Sequence, residues 1–221
     1  MNNHKLSLKA VVFDFDGTLA KLNIDFPQMQ KSVIELIDSY RVPLNGIRHL
    51  FVLEMIEAGK DWILKKSPSE VSVYIKQAYG LIEYIEVEAA KNSKLIDGTR
   101  EMLQELKYRK IKLGIVTRNC EVAIFRVFPD IHEYFDSVIT REQTSHVKPH
   151  PEHLRLTLKT LHVEPEFASM VGDHAMDIKI GRDVGTLTIG VLTGASSMND
   201  LIQAEADIIL QKAADLLDVV T

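Results

Sequence analysis

The sequence predicts an α/β fold, a Rossmann-like doubly wound parallel sheet into which an all-helical module is inserted. Short apolar runs recur along the chain and several stop abruptly at an acid or a glycine, as strands buried on both faces of a parallel sheet do. Stretches with helical apolar spacing lie between them, and that alternation predicts βαβ units. The block from 21 to 92, by contrast, contains no convincing strand.

The first run is KAVVFDF, from Lys9 to Phe15. KLGIVT at 112 to 117, DSVIT at 136 to 140, ASMVGD at 168 to 173, LTIGV at 187 to 191 and ADIIL at 206 to 210 continue the series. Helix-like segments fall at about 98 to 110, 119 to 127, 151 to 162, 175 to 184, 198 to 204 and 213 to 220. Inside the strandless block, Asp25 can cap a helix with Pro27 in its first turn, followed by the apolar stripe Phe26, Met29, Val33, Ile34 and Ile37. A second helix is expected over about 46 to 58. Ser67-Pro68-Ser69-Glu70 matches a capping box, opening a helix whose apolar face carries Val71, Tyr74, Ile75, Ala78, Ile82 and Ile85. The expected organisation is an α/β core from 1–20 and 93–221 and a helical insertion from 21–92.

With 221 residues, 46% of them hydrophobic, the chain can bury a substantial core. A net charge of -5 offers no general attraction to phosphate backbones or anionic lipid, so nucleic acid and membrane are not expected partners. The single cysteine, Cys120, excludes an intrachain disulfide and fits a reducing compartment. The start, MNNHKLSLK, is polar, and no apolar run reaches the roughly 18 residues needed to cross a bilayer. A cytoplasmic protein is expected. Nothing in the sequence bears on oligomeric state.

Ligands of open α/β sheets bind beyond the carboxyl ends of the strands, which makes four segments candidates for chemistry. In Asp14-Phe15-Asp16-Gly17-Thr18, two carboxylates two residues apart leave a strand toward the same side. One can attack phosphorus while the other gives a proton to the leaving oxygen. In Thr117-Arg118-Asn119, a strand-end hydroxyl followed by backbone amides entering a helix suits a phosphate, although taken alone the segment reads first as helix capping by Thr117 or Asn119. Thr18, Arg118 and Asn119 stand as candidate substrate-binding residues beside Thr117.

Lys148 lies just before Pro149, with Pro151 following, and could neutralise phosphoryl and aspartate charge; in isolation it would be a solvated lysine. His146, His150 and His153 cluster around it without a ligand pattern and read as surface residues. In Gly172-Asp173-His174-Ala175-Met176-Asp177, a helix beginning at Asp173 would turn two acids to one side. With Asp14 they make a hard, carboxylate-rich site suited to Mg2+, although acids also favour helix N-termini for electrostatic reasons alone.

In this order and at these places, the four segments resemble the motifs of the haloacid dehalogenase-like superfamily, with the helical insertion similar to the small cap of one branch. The resemblance implies Asp14 as nucleophile and metal ligand, and Asp16 as general acid, then base, with its backbone carbonyl on the metal. It implies Thr117 and Lys148 as phosphoryl-holding groups, and Asp173 and Asp177 as the remaining metal-binding residues. An acid at position 16 is similar to phosphatases and phosphosugar mutases of the superfamily, not to its dehalogenases. DGTL and TIGVLTG at 188 to 194 resemble the phosphoglycolate phosphatase-like branch, while Ala20-Lys21-Leu22-Asn23 departs from its usual acid and serine. The implied activity is hydrolysis of a small phosphorylated metabolite, with a mutase as the alternative. A non-catalytic binding protein is disfavoured by retention of all six positions.

Overall fold

The computed structural model describes residues 8–220; the polar start read above lies, for residues 1–7, outside them. The chain forms two compact units, one of them the continuous segment Asn23–Asn92 and the other ending at Leu22 and resuming at Ser93.

The second of these contains a six-stranded sheet: β1 (Ala10–Phe13), β4 (Lys112–Val116), β5 (Ser137–Ile139), β6 (Ala168–Gly172), β7 (Leu187–Val191) and β8 (Ile208–Leu210). Their order is β5-β4-β1-β6-β7-β8, and every pairing is parallel. The chain runs outward from β1 through β4 to β5, then returns to lay β6 on the other side of β1. That reversal is the topological switch point where such sheets bind ligands. Phe13 pairs with Ile115 on one side and Val171 on the other, so the carboxyl ends of β1, β4 and β6 stand level. β2 (Ala20–Lys21) and β3 (Lys94–Leu95) form a separate antiparallel pair where the chain leaves for, and returns from, the helical unit.

Alternation along the strands explains the two-sided burial. Ala10, Val12, Ala168 and Met170 pack with Leu154, Leu158, Leu161 and Ile180. Those partners come from α6 (Glu152–Leu161) and α7 (Ala175–Val184). Phe13 meets Phe135 edge to face at 6.3 Å. α6 approaches β4 so closely that a Cβ on Gly114 would stand 2.8 Å from Thr157 Cγ2. The other helices of this unit are α4 (Thr99–Tyr108), α5 (Glu121–Val127) and α8 (Met198–Gln203). The expected helix at 213 to 220 is a 3-10 segment, Ala213–Asp218.

The helical unit contains α1 (Phe26–Ser39), α2 (Val52–Lys66) and α3 (Val71–Ala90). Asp25 caps α1, its carboxylate accepting from Gln28 N at 2.9 Å. Met29, Val33 and Ile37 form the buried stripe, whereas Phe26, at the helix start, is 54% exposed. The expected helix over 46 to 58 starts later, at Val52: residues 45–49 are turns, and Phe51 is extended, with ψ 157, immediately before the helix. The capping box at Ser67 is not formed. Ser67 N is used to close α2 onto Ile63 O at 2.7 Å, and Pro68–Glu70 form a 3-10 turn before α3. Among the described residues no helix is long and apolar enough to cross a membrane.

Candidate active site

Three acids reach the switch point from three places. Asp14 follows β1, its N–H still donating to Val171 O at 2.9 Å, and Asp173 follows β6. Asp177 sits in the first turn of α7, which begins at Ala175 rather than at Asp173. The two later acids therefore converge as a strand end and a helix turn, not as neighbours on one helix. His174 is the N-cap, its Nδ1 accepting from Met176 N at 3.0 Å while its own N–H donates to Asp177 Oδ2 at 3.1 Å. Each of the three carboxylates offers an oxygen within 4.8 Å of the others, and all three residues are buried.

Lys148 lies in the loop before α6, 2% exposed, with Nζ 2.7 Å from Asp14 Oδ1 and 2.7 Å from Asp177 Oδ1. One ammonium among three acids leaves negative charge in excess. Burial, reinforced by Asp177, raises Asp14 to a pKa of about 6 against the lowering pull of Lys148. Burial together with Asp14 and Asp177 raises Asp173 to about 8. Lys148 is held above its ordinary value: burial works against its charge, and Asp14 and Asp177 outweigh burial. A compact set of buried carboxylate oxygens, under-neutralised by its one lysine, fits a hard divalent cation.

Close clearances make room for the acids. Gly17 has φ +83, and a Cβ there would lie 2.5 Å from Asp173 Oδ2; one on Gly194 would overlap the same oxygen, and one on Gly172 would overlap Asp177. The segment after β7 completes the support. Ala195 N donates to Asp173 Oδ2 at 2.6 Å, Ser196 N to Asp173 O at 3.2 Å, and Thr193 Oγ1 to Gly17 O at 2.6 Å.

The other expected residues lie nearby with defined partners. Asp16 Oδ1 accepts from Leu22 N at 2.8 Å. Thr117 follows β4, fully buried, its hydroxyl donating to Asn119 Oδ1 at 2.9 Å and accepting from Asn119 N at 3.2 Å. Thr18 donates to Asp173 Oδ1 at 3.3 Å, and Arg118 Nη1 donates to Lys148 O.

His153 corrects the reading of the three histidines as surface residues. His146 and His150 are exposed and stack on each other at 4.4 Å. His153 is fully buried because it lies on the inward face of α6, with Nδ1 3.1 Å from Lys148 N and Nε2 3.1 Å from Ile139 O. The Thr193–Ala195 segment is the other part of the site beyond the four motifs, within and just after the TIGVLTG stretch that resembles the family. The available signal was the stop of the apolar run LTIGVL at Thr193-Gly194.

Fold and geometry together define a class: an enzyme with a carboxylate–lysine centre at the switch point of a doubly wound sheet. The chain belongs to the haloacid dehalogenase-like hydrolase family, whose pattern matches residues 11–191. It is 31% identical over 222 aligned residues to pyrophosphatase PpaX of Bacillus cereus, covering 98% of each chain. Its fold is similar to that of a protein from Haemophilus somnus predicted to be a phosphoglycolate phosphatase, with TM-score 0.66 and 21% identity over 96% of this chain and 98% of the other. A haloacid dehalogenase-family phosphatase from Thermococcus onnurineus matches with TM-score 0.61 and 23% identity, over 95% and 96% of the two chains.

Proposed function

We propose that this protein is a Mg2+-dependent phosphatase that transfers the phosphoryl group of a small phosphorylated metabolite to Asp14 and then to water. The carrying observation is Lys148 Nζ at 2.7 Å from both Asp14 and Asp177, inside a buried cluster completed by Asp173.

An Asp14 carboxylate oxygen attacks phosphorus and the bond to the leaving oxygen breaks, with Asp16 giving that oxygen its proton. Asp16, now ionised, takes a proton from water as the water oxygen attacks the aspartyl phosphate. Inorganic phosphate leaves and Asp14 is regenerated. Lys148 offsets the negative charge of Asp14, which would otherwise repel an anionic substrate, and the Thr117 hydroxyl with the Asn119 region receives phosphoryl oxygens. Asp14, Asp173, Asp177 and the Asp16 carbonyl would hold Mg2+, which supplies further positive charge to the phosphoryl oxygens when bound. Thr18 and Arg118 support this arrangement through Asp173 and the Lys148 carbonyl.

The primary substrate reading is a phosphate monoester such as phosphoglycolate or a sugar phosphate. The name of the Bacillus cereus relative, similar over almost the whole length, favours inorganic pyrophosphate as a second reading; attack at phosphorus is the same and only the leaving group differs. A mutase would return the phosphoryl group to its sugar. A cytoplasmic setting suits a chain whose single thiol, Cys120, is buried.

The test is phosphate release from phosphoglycolate, hexose phosphates and pyrophosphate with Mg2+, for the native protein and Asp14→Asn. Monoester turnover abolished by the substitution supports the first reading, and turnover of pyrophosphate alone selects the second. Hexose phosphate isomerised without net phosphate release selects the mutase. Turnover that survives Asp14→Asn rules out the proposed nucleophile.

A further inference from the structure

The placement of Lys148 poses a physical problem. Its ammonium must sit within 2.7 Å of two carboxylates, yet its backbone lies in the loop between β5 and α6, where no sheet ladder fixes it. A long, rotamer-rich side chain anchored on a loose peptide would not hold that position. The peptide of Lys148 is instead gripped at both ends by side chains. Its N–H donates to His153 Nδ1 at 3.1 Å, and its carbonyl accepts from Arg118 Nη1.

We propose that His153 is a positioning residue for catalysis, a neutral imidazole that ties the backbone of Lys148 to the sheet and so aims its ammonium between Asp14 and Asp177. The proposal rests on the reading of Lys148 as the counter-cation of phosphoryl transfer.

The hydrogen bonds fix the tautomer. Nδ1 accepts from Lys148 N and is therefore unprotonated, so Nε2 carries the hydrogen and donates to Ile139 O, the last residue of β5. The imidazole thus bridges a strand end and the loop it must hold. His153 belongs to α6, whose Leu154, Leu158 and Leu161 are packed against the sheet, so the anchor is itself rigid. Burial, with the nearby charges of Lys148 and Arg118, lowers the pKa of His153 to about 3. The ring consequently remains an acceptor at neutral pH.

Two polar replacements separate positioning from general packing. His153→Asn places an oxygen near Nδ1 and keeps the acceptor for Lys148, whereas His153→Gln places an amide near Nε2 and keeps only the donor to Ile139. Each loses one buried hydrogen bond, so a purely structural role predicts equal effects on kcat. With p-nitrophenyl phosphate and Mg2+ as the probe, Asn is expected to retain kcat within about fivefold, and Gln to lower it by about 10- to 100-fold, with KM changed by less than about threefold in both.

Equal kcat values for folded Asn and Gln variants overturn the proposal. Lys148→Met is the parallel control. Loss of turnover in Lys148→Met with unchanged turnover in His153→Gln removes the positioning role alone, while undiminished turnover in Lys148→Met removes the counter-cation reading beneath it. Amide hydrogen exchange of the native protein needs no variant. The Lys148 N–H is expected to exchange at least about tenfold more slowly than the amide of the exposed residue Ser145, and equal exchange overturns the proposal.

Discussion

Raising the pH of the Mg2+-free protein should cost it stability, and Asp173 is the group that should dominate the loss. A carboxyl has a pKa of about 3.9 in an unfolded chain. In the folded protein Asp173 is raised to about 8 and Asp14 to about 6. Because the folded values are the higher ones, the folded state binds the extra protons. Their stabilising effect is fully present below about pH 4 and is lost as pH rises through 6 and 8. Four pKa units on Asp173 correspond to an upper limit on the order of 5 kcal/mol, and the two acids titrate as a pair rather than independently, so about 3 kcal/mol is a realistic loss. Asp173→Asn removes the charge but keeps an oxygen to accept from Ala195 N. In chelator at pH 8 the variant should melt about 6–12 °C above the native protein, on a conversion of about 2–4 °C per kcal/mol for a chain of this size. The difference should shrink toward pH 5. His153 acts in the opposite sense, its lowered pKa stabilising the fold above about pH 6.5 and losing that effect as pH falls toward 3, but it is present in both proteins and cancels in the difference. Thermal unfolding followed by circular dichroism from pH 5 to 8.5 is the assay. Parallel curves for the two proteins would refute the excess of buried negative charge. Added Mg2+ should then raise the native curve at pH 8 more than the variant curve.

Asp14→Asn should lower phosphate release by at least about a thousandfold while leaving the far-ultraviolet spectrum unchanged, because the amide is nearly isosteric but a poor nucleophile. Gly194→Ala forces a methyl group onto Asp173 Oδ2; it should destabilise the fold by about 1–3 kcal/mol in urea titration and reduce Mg2+-dependent turnover, and an active, fully stable variant would contradict the observed clearance. Cys120 is 1% exposed, so the native protein should react with a thiol reagent only after denaturation, and Cys120→Ala should keep kcat within about threefold. Rapid labelling of the native thiol would contradict its burial at the start of α5.

The strands of the core were legible because they are buried on both faces, which makes them continuous apolar runs with sharp ends. β7 falls at 187–191, as expected from LTIGV, and α7 falls at 175–184. Those ends also revealed Asp14, Thr117 and Asp173, since chemistry in this architecture sits where the apolar pattern stops. The helical unit was less legible because competing local signals were resolved by the backbone. Ser67 looked like a cap for the following helix but its N–H was committed to the preceding one, and the helix expected from 46 begins only at Val52, after turns and an extended Phe51. His153 escaped for a different reason. Periodicity shows that a position faces inward only when its residue is apolar, and a histidine in an amphipathic helix is ambiguous until the partners of its two nitrogens are known. Here both partners are backbone groups, Lys148 N and Ile139 O, which leave no trace in side-chain pattern.

The same distinction separates the two layers of the site. The charged groups Asp14, Asp173, Asp177 and Lys148 were legible only together, as strand-end segments in one order, because Lys148 taken alone reads as a solvated lysine. The groups that aim them act through the main chain: Ala195 N on Asp173, His174 N on Asp177, and His153 with Arg118 on the Lys148 peptide. Three buried carboxyl groups with oxygens within 4.8 Å of one another oppose folding when ionised, so their geometry persists only where such contacts over-determine it. A substitution that spares every charged residue but loosens one of these backbone holds should therefore affect turnover more than stability. The Asn and Gln replacements at His153 test that relation directly, since they differ in which backbone group is released and not in how many.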